Sequence, residues 1–72
     1  MLLEEKIKFI KQELEEICGE KVLVMCGISP QGKYIAEVDY EGSRDLLDMS
    51  STVSIEDALD KLFDEAKKAW AY

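Results

Sequence analysis

Apolar residues recur near the start of the chain at Leu3, Ile7, Ile10, Leu14 and Ile17, spaced 4, 3, 4 and 3. That spacing lays one stripe along an amphipathic helix, expected over Leu2 to Cys18. Glu4 with Lys8, and Lys11 with Glu15, form i,i+4 pairs on its polar side. Leu2 and Phe9 fall off the stripe, and Phe9 is expected to flank the core, with an exposed aromatic as the alternative. Gly19 follows where a helix that ends in a left-handed residue needs no Cβ.

The period then shortens. "KVLVMCGI", Lys21 to Ile28, is a short apolar run rich in β-branched residues and predicts a strand. "SPQG" places Pro30 and Gly32 as a β-turn requires. "KYIAEVDYE" alternates, with Tyr34, Ala36, Val38 and Tyr40 on one side and Lys33, Ile35, Glu37, Asp39 and Glu41 on the other. "EGS" is a second tight turn, and "RDLLDM" is a third strand whose faces are obscured because Leu46 and Leu47 are adjacent. Short loops between these runs predict a three-stranded antiparallel meander.

The last segment, "SIEDALDKLFDEAKKAW", returns to helical period. Ser54 is its expected N-cap, with Asp57 three residues on to complete a capping box. Glu56, Asp57 and Asp60 lie near the positive end of the helix dipole, and Lys67 and Lys68 near the negative end. Ile55, Ala58, Leu59, Leu62, Ala66 and Ala69 form the expected buried stripe, flanked by Phe63 and Trp70. The fold expected is a single α+β domain over residues 1–72, ordered α-β-β-β-α, with both helices on one face of the sheet.

Charge narrows the function classes. The 72 residues carry 9 basic and 16 acidic side chains and no histidine, a net charge of −7. Nucleic-acid binders need excess Lys and Arg to displace counterions, so direct nucleic-acid binding is not expected. No apolar run reaches the length of a membrane span, and "MLLEEKIK" has acids where a signal peptide has bases, which predicts a cytoplasmic protein. Cys18 and Cys26 fit a reducing compartment as small core residues.

Catalytic chemistry finds no foothold in the residue types. Without histidine there is no Ser-His or Cys-His pair, and no glycine-rich loop precedes a helix to cradle phosphate. Two cysteines without histidine are too few for a zinc site. Neither catalysis, a cofactor nor a metal is expected.

What remains is surface. If Tyr34, Ala36, Val38 and Tyr40 face the helices, Ile35 points away from them. On the first strand either Val22, Val24, Cys26 and Ile28 or Leu23 and Met25 must share that open face, so an apolar patch forms there. Leu23, Met25 and Ile35 are the candidates for an apolar or homodimer interface, and the first strand is also a sheet edge open to a second chain. The acids of the sheet region, Glu37, Asp39, Glu41, Asp45 and Asp48, are the candidates for binding a basic partner. Glu37, Asp39 and Glu41 repeat every ~7 Å along one strand face, close to phosphate spacing.

Three resemblances add to this. The α-β-β-β-α order is similar to double-stranded-RNA-binding domains, although "SIEDALDK" stands where those carry a basic, phosphate-gripping helix start. "GKYIAEVDYEG" with "TVSIEDALDKLFDEA" resembles HicB-type antitoxins, in which a Tyr-bearing strand precedes a Thr-x-Glu-Glu-Ala-Leu helix start. In size, acidity and single-domain build the chain resembles phage-encoded anti-defence inhibitors, including anti-CRISPR proteins. The last two resemblances imply one mechanism: an acidic module inhibits a basic, nucleic-acid-handling enzyme or complex by covering its binding surface. The rival expectation is a structural or assembly protein built on the apolar sheet face.

Overall fold

A computed structural model describes residues 2–40 and 47–70. Helix α1 spans Leu3–Cys18, strands β1, β2 and β3 span Val22–Ile28, Tyr34–Tyr40 and Leu47–Ser51, and helix α2 spans Ile55–Trp70. The strands form one antiparallel sheet in the order β1-β2-β3, and both helices pack on the same face of it. The fold is therefore the α+β meander that the periodicities predict.

Local chemistry explains the joints. Gly19 ends α1 at φ 73°, and its N–H donates to the Glu15 carbonyl at 2.9 Å. Between β1 and β2, Gly32 N–H donates to Ser29 C=O at 2.9 Å, and Ser29 N–H donates to Lys33 C=O at 2.8 Å. Gly32 takes φ 83°, the left-handed residue that a three-residue hairpin loop needs after its turn. Pro30 presets the first turn position. At the start of α2, Ser54 Oγ accepts the Asp57 N–H at 3.0 Å, as an N-cap should.

The core lies between the helices and the sheet. Ile10 and Leu14 of α1 and Ala58, Leu59, Leu62 and Ala66 of α2 close on Val22, Ala36 and Val38. Leu3, Ile7 and Ile17 complete the α1 stripe as half-buried residues packed against that cluster. Phe9, 47% exposed, meets the edge of Phe63 at 6.0 Å between ring centres, and Lys67 Nζ sits 4.4 Å above the Phe63 ring. Phe9 thus flanks the helix pair and is at the same time an exposed aromatic.

Four details depart from the expectations. Strand β3 runs on to Ser51 instead of ending at Met49, because Ser51 pairs with Tyr34 at the far end of β2. Its expected start, Arg44 to Leu46, lies outside the described residues. Ala69 is exposed like Lys67 and Lys68, since the last turn of α2 passes beyond the core that ends at Ala66. The capping box is half made. The Asp57 carboxylate is drawn to the Ser51 hydroxyl, which donates to it at 2.6 Å, instead of closing back on Ser54. Finally, Glu15 is more than the partner of Lys11. Its carboxylate also accepts the Val22 N–H at 3.2 Å and ties α1 to the start of β1.

Candidate binding surface on the open sheet face

Strand alternation divides the sheet cleanly. Val22, Val24, Cys26, Ala36, Val38, Leu47, Met49 and Ser51 belong to the helix-facing set, and Leu23, Met25, Gly27, Ile35, Glu37, Asp39, Asp48 and Ser50 to the opposite face. No described helix covers that second face. Leu23 is 55% exposed and Met25 41%, so these are the first-strand residues turned outward. The alternative set, Val22, Val24 and Cys26, packs against the core, and Ile28 is its exposed end.

Register then builds two zones on the open face. Gly27 stands opposite Ile35, Met25 opposite Glu37, and Leu23 opposite Asp39. Across the other ladder Glu37 stands opposite Asp48, and Ile35 opposite Ser50. Leu23, Met25 and Ile35 thus form an apolar band along β1 and the hairpin end of β2. Glu37, Asp39 and Asp48 form an acidic block beside it. Where Gly27 has no side chain, an open hollow of about 230 Å³ lies among Met25, Cys26, Gly27, Ile28, Ile35 and Glu37. A Cβ placed on Gly27 would meet nothing within 4 Å, so the hollow is not filled from inside the chain.

The electrostatics of this face differ from the rest of the molecule. Glu37 and Asp48 are like charges directly opposed on neighbouring strands, an arrangement that costs stability. Among the described residues, every ion pair is made by a helical lysine with a helical carboxylate. Lys6 pairs with Asp60, Lys8 with Glu4, Lys11 with Glu15, Lys61 with Asp57, Lys67 with Asp64 and Lys68 with Glu65. None reaches Glu37, Asp39 or Asp48. The two carboxyls held below the ordinary range lie elsewhere. Glu15 is lowered by Lys11 and then by the Val22 N–H, and Asp57 by the Ser51 hydroxyl and then by Lys61.

Of the expected acidic candidates, Glu37, Asp39 and Asp48 come together, while Glu41 and Asp45 lie outside the described residues. All three apolar candidates, Leu23, Met25 and Ile35, fall on the same face. The sequence reading missed the hollow at Gly27; its signal was a glycine inside an otherwise β-branched strand. Cys18 and Cys26 are both free and half-buried. Among the described residues no cluster of potential metal ligands forms, and no helix is long and apolar enough to cross a membrane. No family model, curated protein or solved structure matches the chain.

Proposed function

We propose that this chain is a small, non-catalytic binding module that seats its open sheet face on a basic protein. The occupied surface is one on which that protein holds nucleic acid, so binding inhibits it. One observation carries this reading: Glu37 and Asp48 are kept opposed, with Asp39 alongside, and none of the three has an ion pair among the described residues. Such an arrangement costs the free fold stability and is relieved when a cationic surface docks. The adjacent band of Leu23 and Met25 supplies the apolar contact that fixes register, while the acids raise the association rate. On this reading the chain is a cytoplasmic phage inhibitor of a host defence complex, of the anti-CRISPR kind, with a HicB-like antitoxin as the alternative. The same apolar band supports a homodimer.

Affinity capture from the native host with matched baits tests the reading. A target retained by the wild type and by Asp60→Lys, but lost with Glu37→Lys/Asp39→Lys, supports it. The double reversal should weaken binding at least tenfold, about 1.4 kcal/mol, and the wild-type interaction should weaken steeply as salt rises. Equal retention by all three baits overturns the acidic interface. Salt-independent retention that is lost with Met25→Lys favours an assembly protein working through the apolar band.

A further inference from the structure

The edge of β1 is specific about what can pair with it. Ser29 N–H bonds to Lys33 C=O at the hairpin, and bonded pairs alternate along an antiparallel ladder. Leu23, Met25 and Gly27 therefore direct their backbone groups to β2, and Val22, Val24, Cys26 and Ile28 direct theirs to the free edge. The Val22 N–H confirms the phase, since the Glu15 carboxylate accepts it from outside the sheet. The outward groups of Val24, Cys26 and Ile28 have no partner among the described residues.

Sheet edges are normally protected by charge, proline, a bulge or short length. The β3 edge is five residues long with Asp48 in it. The β1 edge has seven residues, VLVMCGI, with no charge and no proline, and it pairs with β2 without a bulge. It is the unprotected one.

We infer that β1 pairs antiparallel with β1 of a second copy, about a two-fold axis at Cys26, making one six-stranded sheet. Val24 then lies opposite Ile28 of the second copy and Cys26 opposite Cys26. Roughly six backbone hydrogen bonds form, and the Glu15 contact to Val22 is left intact. A shift to an axis at Met25 would oppose Val22 to Ile28 and compete with Glu15 for the Val22 N–H. In the Cys26-centred register Met25 of each copy stands beside Gly27 of the other, where the hollow lies next to Ile35. The acids remain apart. The two β2 strands are separated by three strand spacings, about 14 Å, beyond the screening length of ~8 Å at physiological salt. The paired sheet thus carries one apolar band between two acidic blocks. This pairing rests on the homodimer reading above and not on the identity of the basic partner.

Light scattering, cross-linking and one substitution test it together. At high micromolar concentration the particle should have twice the 8.2 kDa chain mass. In Cys18→Ser, diamide should join Cys26 to Cys26 of the second copy. The two thiol hydrogens pass to its N=N bond, and the sulfurs form the disulfide. Opposed Cα atoms about 5.5 Å apart permit this bond. Gly27→Val, whose side chain enters open space within the chain, should keep the circular dichroism spectrum and raise the dimer Kd at least tenfold. A dimer lacking either the Cys26 cross-link or the response to Gly27→Val overturns this pairing and leaves the dimer reading standing. A particle that stays monomeric at millimolar concentration overturns both, and the acid-reversal baits still judge the basic partner on their own.

Discussion

The carboxylates of α2 and those of the open sheet face belong to the same chain and carry the same charge, yet they sit in opposite circumstances. Asp57 accepts from Ser51 and lies 3.3 Å from Lys61, and Asp60 lies 2.8 Å from Lys6 of α1. Both also stand near the positive end of the helix dipole. Their structural role accounts for them. Glu37 and Asp48 oppose one another instead, with Asp39 two residues from Glu37, and none of the three forms an ion pair with a described lysine. A net charge of −7 is therefore not one property. The two helices carry 10 acidic and 6 basic residues, and what sets Glu37 and Asp48 apart is that they oppose one another with no ion pair among the described residues.

The comparison breaks most visibly on the helix side. Leu62 is fully buried between α2 and the sheet, and Leu62→Ala should cost about 2–5 kcal/mol, a large part of the stability of so small a domain. Chemical denaturation reads this directly, and an unchanged midpoint would mean the core is misplaced. Ser51→Ala should cost about 1–3 kcal/mol, because the hydroxyl serves the Asp57 carboxylate and the Val53 N–H while itself only 4% exposed. Ser54→Ala should cost about 1 kcal/mol through the lost cap.

On the open face the sign should reverse. Asp48→Lys places a cation opposite Glu37 and should stabilise the fold by about 0.2–1 kcal/mol, whereas Asp60→Asn should lose about 0–1 kcal/mol with its exposed ion pair. A higher melting temperature for the first variant beside a lower or equal one for the second sharpens the contrast. Destabilisation by Asp48→Lys would show that the strand acid has a structural partner after all.

Acid should act on the tied carboxylates. Glu15 and Asp57 have folded-state pKa values below their ordinary 4.5 and 3.8. Their contribution is therefore complete above those values and is lost as pH falls through the lower, folded ones. Denaturation midpoints should hold from neutrality to about pH 5 and then decline. Glu15→Gln and Asp57→Asn should each flatten that decline, and an unaltered acid limb in both would remove these two groups from the acid response.

Much of this molecule was legible as a pattern. The helices showed in the 4, 3, 4, 3 spacing of the first segment and in Ser54 with the acids and lysines of the last. The hairpin showed in Pro30 and Gly32. These signals are local, because caps, turns and periodicity act within a few residues of the chain. Which side of β1 meets the helices was not legible, since both sides are apolar. Nor was the end of β3, which is set by pairing Ser51 with Tyr34 across the sheet. Asp57 reads as the second half of a capping box until the fold brings the Ser51 hydroxyl to it. Glu15 reads as one half of a surface pair until β1 returns to offer the Val22 N–H. The acids of the sheet were visible as a row along one strand, but the opposition of Glu37 to Asp48 exists only once β2 and β3 align. Contacts between strands and between layers depend on register, and register is decided when the whole core closes.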